Sequence, residues 1–361
     1  MTLAVNLAQG ASNNVTMRNR IINGAMVISQ RNGTSSVTPA DSSFPIDRFA
    51  YFSTQASKFT AGQNLNSATT PIGFSNYLGL QTASSVSIGA GDYFMINQLI
   101  EGFNTADLQW GTANAKTVTL SFQVYSSLTG TFGGVVTNSA LNRSYPFTYT
   151  ISSANTWTSI SITIAGDTTG TWIGATNGCG IRIMWGLGVG STYSGTAGAW
   201  AGATYFSATS AVSVVGTASA TFYITGVQLE AGTTASPFEY RQYGTELQLC
   251  FRYYFKNYVQ TGGTSATPLS VYGFCYTTSQ VYVPFVFAQP MRATPTLSFS
   301  GCRVYNPSLG GPTVSNLIVG DGSNVGLNIQ TVSAATLTVA YSYIICPNTV
   351  ATDFIAFSAE L

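Results

Sequence analysis

Apolar and polar residues alternate with a period of two in several stretches of the chain. Val118, Leu120, Phe122 and Val124 are separated by Thr119, Ser121 and Gln123, and Ile160, Ile162 and Ile164 by Ser161 and Thr163. This is the pattern of strands with one buried face. Ile181, Ile183 and Trp185 follow a Gly-Cys-Gly turn and read as a further strand. Phe222 and Ile224 are out of phase with Val227 and Leu229 across Gly226, which predicts a bulge there. Short strands with no helical period between them predict an antiparallel sandwich over residues 21–243.

One segment changes period. Leu247, Cys250, Phe251 and Tyr254 fall at i, i+3, i+4 and i+7. With Thr245 and Gln248 spaced as a capping box, they predict an amphipathic helix of about three turns inside a linker over 244–257. Alternation resumes at Val281, Val283, Phe285 and Phe287 and again at Leu337, Val339, Tyr341, Tyr343 and Ile345. Residues 258–361 therefore read as a second, smaller β-sandwich domain, for which about a hundred residues suffice. Residues 1–20 are weakly patterned and read as an arm that orders against a partner. The fold class is all-β.

Composition sharpens this picture. Only 7% of the 361 residues are charged, while 37 are Gly, 21 Phe, 20 Tyr and 5 Trp; that suits strands and turns rather than surface helices. The chain has no histidine, which excludes Ser-His and Cys-His nucleophiles and His-ligated metal sites. No cofactor or metal is indicated. Thirteen basic against twelve acidic residues give +1 with no basic run, so neither nucleic acid nor an anionic membrane is an expected partner. Near-zero charge favours association. Cys179, Cys250, Cys275, Cys302 and Cys346 are odd in number and scattered, and are expected as free thiols. Residues 1–17 lack a basic leader and a sustained apolar core, so no signal peptide is expected, and no stretch reaches the ~20 apolar residues of a spanning helix. The Asn-x-Ser/Thr triplets at Asn14, Asn32 and Asn142 then carry no glycosylation meaning.

Candidate chemistry is sparse. The run Trp185-Gly186-Leu187-Gly188-Val189-Gly190 lacks the spacing of a dinucleotide loop, and no Gly-Lys pair supports a P-loop. There is no G-x-S-x-G elbow. Carboxylate pairs are the catalytic option left: Glu101 with Asp107, Asp92, Asp167, and Glu230 with Glu239. Asp92 and Asp167 sit in turn-like text, and Glu230 and Glu239 flank a loop where they can bond Arg241 or turn amides. The chain is expected not to be an enzyme.

Aromatic residues in loops are a second class, because Trp and Tyr faces serve as platforms for sugar rings. Trp200, Tyr193 and Tyr205 lie in Gly/Ser/Thr/Ala-rich text that offers little to bury them. With Trp110, they are the glycan-binding candidates, against the alternative that such rings cap the sandwich or lie in a subunit contact. Trp157, next to the Ile160–Ile164 strand, reads as core. Trp172 and Trp185 fit either role.

Several stretches carry a family resemblance. They are Asn19-Arg20-Ile21-Ile22-Asn23-Gly24-Ala25-Met26, Asp47-Arg48-Phe49, Asp107-Leu108-Gln109-Trp110-Gly111-Thr112, Ser139-Ala140-Leu141-Asn142-Arg143-Ser144-Tyr145, Gly226-Val227-Gln228-Leu229-Glu230-Ala231-Gly232-Thr233, Pro237-Phe238-Glu239-Tyr240-Arg241 and Tyr243-Gly244-Thr245-Glu246-Leu247. Together they resemble tailed-phage and prophage fibre-type virion proteins over about residues 18–255. Pro290-Met291-Arg292-Ala293-Thr294-Pro295-Thr296 extends the likeness weakly. Phe251 stands where the family pattern has Gln. The resemblance implies a jelly roll similar to carbohydrate-binding modules and a virion location. It also implies a homotrimer, used as a tail fibre or receptor-binding protein contacting host-surface polysaccharide. Residues 1–20 would dock to other virion proteins, and Leu247, Cys250, Phe251 and Tyr254 would pack near the three-fold axis. A head fibre or capsid-decorating protein is the alternative, and a polysaccharide-degrading enzyme using a carboxylate pair is a third. No binding residue is carried over from the family.

Overall fold

A computed structural model describes residues 18–258, 272–306, 308–309, 311–333, 336–347 and 353–361. The chain divides into two compact units between Glu246 and Leu247. In the first unit the strands run β1 (Ser43–Ile46), β2 (Phe49–Ser53), β3 (Phe59–Gln63), β4 (Leu78–Thr82), β5 (Tyr93–Glu101), β6 (Val118–Ser126) and β7 (Gly130–Thr137). They continue as β8 (Ser144–Ile151), β9 (Thr158–Ile164), β10 (Cys179–Val189), β11 (Ser194–Gly195), β12 (Ser207–Ala208) and β13 (Thr221–Ala231). A six-stranded antiparallel sheet, β1-β2-β5-β10-β7-β8, faces a five-stranded one, β3-β4-β13-β6-β9. This is an antiparallel β-sandwich.

The period-two pattern builds it directly. Val118, Leu120, Phe122 and Val124 of β6 are buried in one core with Phe222, Ile224, Val227 and Leu229 of β13 and with Ile183, Trp185 and Leu187 of β10. Phe122 meets Trp185 edge to face at 5.8 Å and Tyr149 at 5.1 Å, geometries that aromatic quadrupoles favour. Ile160, Ile162 and Ile164 pair with Phe122, Leu120 and Val118 in register, so Ser159, Ser161 and Thr163 face outward beside Gln123, Ser121 and Thr119. The predicted bulge is present: β13 shifts register against β6 between Thr225 and Gln228. Gly226 sits in it at φ +61°, a conformation a β-carbon penalises.

Residues 18–20, assigned to the arm on sequence grounds, belong instead to the first unit, since Arg20 N donates to Leu229 O at 3.0 Å. The rest of the expected arm, 1–17, lies outside the described residues.

The helix α1 spans Tyr243–Phe251, shorter than its sequence period suggests. Glu246 N donates to Gln242 O, so Thr245 lies inside the first turn rather than at the cap. Tyr254 does not extend the helix; it opens β14 (Tyr254–Tyr258). A two-residue turn, Arg252-Tyr253, separates the two, and the backbone of Tyr253 is already paired with Ala359.

The second unit continues with β15 (Tyr272–Thr277), β16 (Gln280–Val286), β17 (Thr296–Ser300), β18 (Cys302–Tyr305) and β19 (Val314–Gly322). Then follow β20 (Gly326–Ser333), β21 (Ser342–Pro347) and β22 (Phe354–Ser358). A three-stranded sheet, β14-β22-β17, accompanies a six-stranded sheet, β18-β21-β15-β16-β20-β19. Val281, Val283, Phe287, Ile329, Ile345, Ile355 and Phe357 form its core, with Phe285 packed against them. Phe285 stacks on Phe357 at 5.2 Å. The alternation expected from Leu337 to Ile345 is interrupted: the strand begins only at Ser342, after a turn in which Ala340 takes φ +69°. Val339 and Tyr341 are correspondingly exposed while Tyr343 and Ile345 are buried. All five cysteines are buried thiols, with no disulfide between them. Burial pushes the Cys302 thiol up to about 12, far from the reactive range.

Candidate functional site

The sequence candidates separate into two places. Trp110 and Trp200 meet, together with Trp172, in a triad of edge-to-face rings: 110–172 at 4.7 Å, 110–200 at 5.4 Å and 172–200 at 5.3 Å. Each indole N–H is taken, by Lys116 O, by Ala165 O and by Thr169 O respectively for Trp110, Trp200 and Trp172. Trp110 is only 7% exposed, and the cavity beside it holds about 40 Å³, room for a water but not for a sugar ring. Tyr193 stacks on Phe206 at 4.8 Å and meets Tyr93 at 5.7 Å. These rings help cover the outer face of the six-stranded sheet. Tyr205 lies half-buried against Gly195. The Gly/Ser/Thr-rich loops fold back over the sandwich and leave Trp200, Tyr193 and Tyr205 half-buried.

The carboxylates are engaged structurally. Asp107 is exposed and takes two bonds from Arg20, at 2.8 and 2.7 Å, while Glu101 is buried in β5. Asp92 does sit in a turn, accepting from Gly89 N and from Thr54 and Gln55, and these bonds hold its carboxyl below the usual range. Asp167 is more than a turn residue. Its burial alone would raise its pKa, but bidentate Arg143, at 2.7 and 2.8 Å, and the Thr169 N–H and hydroxyl outweigh that and lower it. Glu230 accepts from Ser236 N and Oγ at 2.8 and 2.6 Å. Glu239 accepts from Arg18 N and Asn19 N and pairs with Arg241 at 3.5 Å.

The family-like stretches at both ends of the unit converge on this second network. Asn19 Oδ1 accepts from Ile21 N and Leu229 N, and its Nδ2 donates to Val227 O. Asn23 donates to Ile28 O and Asp47 O and accepts from Ile28 N. Arg241 donates to Ile21 O at 3.0 Å and to Asn19 O. At Gly24 a β-carbon would collide with Val227 O. The asparagine and arginine side chains of these motifs brace residues 18–24 against β13.

The surface with binding character is the outer face of the five-stranded sheet. A groove of about 450 Å³ has Ser121, Gln123, Ser159 and Ser161 on its floor and Phe74, Phe238 and Tyr240 as one wall. The wall rings meet one another at 4.9–5.5 Å, and Tyr240 is 59% exposed. Gln123 and Ser159 exchange hydrogen bonds at 2.8 and 3.1 Å. On the same face Tyr125 stacks on Tyr223 at 5.0 Å, and both Tyr125 and Tyr77 abut Trp157 at 5.5 and 5.7 Å. Trp157 is therefore on this outer face and not in the core; its indole N–H bonds Thr69 O at 2.7 Å. Among the described residues no charged side chain lines the groove, and burial raises the Tyr125 and Tyr240 phenols, so the described lining is uncharged through mildly alkaline pH. Rings beside hydroxyl and amide groups in a concavity of this size can hold a small neutral polyol by stacking and hydrogen bonding. The polar alternation of β6 and β9 signalled the floor; nothing local in sequence placed Phe74 and Phe238–Tyr240 beside it.

The fold thus defines an all-β protein of two units, the first a jelly-roll-type sandwich with a neutral, ring-walled groove on one outer face. No protein-family model matches the chain, and no curated protein matches it either. Solved structures do show partial similarity. The enzymatically active domain of tailspike protein 4 of bacteriophage CBA120 is 12% identical with a TM-score of 0.32, covering 60% of this chain and 22% of that one. The match thus spans about a fifth of the tailspike domain's length. A family 61 carbohydrate-binding module in complex with β-1,4-galactotriose is 9% identical at TM-score 0.31, covering 60% and 99%. The family 11 module of Clostridium thermocellum, in complex with a β-1,3-1,4-mixed-linked tetrasaccharide, is 9% identical at 0.28, covering 56% and 100%.

Proposed function

We propose that this chain is a non-enzymatic virion protein of a tailed phage, a homotrimeric tail fibre or receptor-binding protein. In this reading it contacts neutral host-surface glycan through the outer groove of its first unit. The observation that carries the reading is the pairing of the exposed Tyr240 ring and the half-buried Phe74 and Phe238 rings with the hydroxyl and amide floor of Ser121, Gln123, Ser159 and Ser161. Sugar rings offer apolar C–H faces and hydroxyl edges, and the groove presents the complement of both. A fibre places several such sites on one rigid body, so each needs only modest affinity. The resemblance of the Asn19–Met26, Gly226–Thr233 and Pro237–Arg241 stretches to fibre-type virion proteins supplies the virion context.

The test is direct. Full-length protein is added to host cells before phage, and its binding to extracted host polysaccharide is measured by isothermal titration. Wild type blocks adsorption. Tyr240→Ala removes an exposed ring and weakens binding at least tenfold, about 1.4 kcal/mol, with an unchanged melting temperature. Equal binding by the two proteins, or release of new reducing ends from the polysaccharide, would overturn the reading.

A further inference from the structure

The second unit carries a larger concavity that the groove above does not use. It holds about 740 Å³ and lies on the outer face of the six-stranded sheet, against Tyr272, Phe274, Tyr282, Pro284, Val286 and Asn328. Strand β15 builds it by simple alternation. Gly273 and Cys275 turn inward and are buried, while Tyr272, Phe274 and Tyr276 turn outward at 61%, 56% and 64% exposure. Tyr282 of β16 stands opposite Phe274 in register and meets Tyr276 edge to face at 5.6 Å. Val286, at the far end of β16, is 71% exposed.

A soluble protein rarely leaves so many contiguous apolar groups in water without a partner for them. Two features select the partner. Among the described residues Asn328 Oδ1, in the concavity's lining, has no hydrogen-bond partner, which is unfavourable until a donor arrives. Rotation about the last side-chain torsion, which is soft in Asn, turns that amide toward the concavity. In addition, among the described residues of the lining the only charged group is Asp321, exposed beside Ser323, and none is Lys or Arg. A phosphate or an acidic glycan would find nothing to neutralise it. Sugar rings stack on such exposed rings and hydrogen-bond through their edges; a second copy of the chain is the rival occupant, and sedimentation separates the two.

We infer that this face is a second saccharide-binding site, for a neutral glycan whose rings lie on Tyr272, Phe274 and Tyr282 and whose hydroxyls donate to Asn328 and Asp321. It belongs to the second unit alone and stands or falls independently of the groove in the first. All five tryptophans, at 110, 157, 172, 185 and 200, lie in the first unit, so a tryptophan introduced here is a separate reporter.

The full-length chain is run in affinity gels containing dextran, mixed-linkage β-glucan, galactan or mannan as neutral probes, and alginate as the anionic one. Retardation by at least one neutral probe is expected, none by alginate. In the Tyr240→Ala background, which removes the ring of the first groove, some retardation remains, and adding Tyr272→Ala/Phe274→Ala lowers that remaining affinity at least tenfold. Phe274→Trp preserves a ring and shifts its emission to shorter wavelength on adding the same probe, measured as a difference from wild type. Three results would overturn the inference. These are no retardation by any neutral probe, retardation that Tyr240→Ala abolishes and the double variant does not, and a double variant changed only in sedimentation, which marks a contact between copies. If the double variant unfolds, a silent Phe274→Trp emission decides against it.

Discussion

Asp167 shows how one residue here can be misjudged from its neighbours alone. Ala-Gly-Asp-Thr-Thr reads as a turn, yet the carboxylate receives both arms of the Arg143 guanidinium and the indole N–H of Trp172 at 3.3 Å. It thereby fixes one edge of the tryptophan triad. Asp167→Asn keeps the shape but loses the charge-assisted bonds, and should cost about 2–3 kcal/mol in chemical denaturation. The sign of the pH effect follows from the lowered pKa of Asp167. Its stabilisation is present above the unfolded value near 3.9 and is lost as pH falls through the folded one. Wild type should therefore lose melting temperature more steeply than Asp167→Asn below about pH 4. The same scale explains the family-like residues. Asn19 and Asn23 read as a signature in the sequence, and their side chains turn out to satisfy backbone groups that no strand partner reaches, which is obligatory for buried polar groups. Trp157 and Tyr205 were not legible, since nothing local tells a ring at a strand end which side of the sheet it will cover.

At the scale of elements, strands were legible and helix limits less so. Inner and outer faces of β6, β9 and β16 follow the alternation, because side-chain direction in a strand has a period of two. The phase break at Gly226 located the bulge for the same reason. Its glycine is required twice over: φ is +61°, and a β-carbon would stand 2.6 Å from the Phe74 ring. Gly226→Ala should cost about 1–3 kcal/mol, and by pushing on Phe74 it should also weaken glycan binding in the groove. A destabilised variant with intact binding would separate the bulge from the site. In α1, Tyr254 fits the helical period but is claimed by pairing with Ser358. A nine-residue helix has little intrinsic stability to resist such a strand.

For the whole molecule, self-association is the quantity to measure first. Charged residues make up 7% of the chain and the net charge is +1, so little repulsion opposes contact between copies. Under the proposed function, light scattering at micromolar concentration should give three times the 38.0 kDa chain mass; a stable monomer would remove the trimer from the proposal. Residue order alone was enough for the all-β class, most strands and their buried faces, the bulge, and a short helix near Leu247. Each of these depends on residues a few positions apart, and local periodicity records them. The folded chain was needed to show which rings close the first sandwich, which carboxylates are tied to arginine, and that Phe74, Phe238 and Tyr240 wall a polar floor built by β6 and β9. Those meetings join segments distant in sequence through non-local strand pairing, and a strand's own pattern names its buried face without naming the neighbour it will find there.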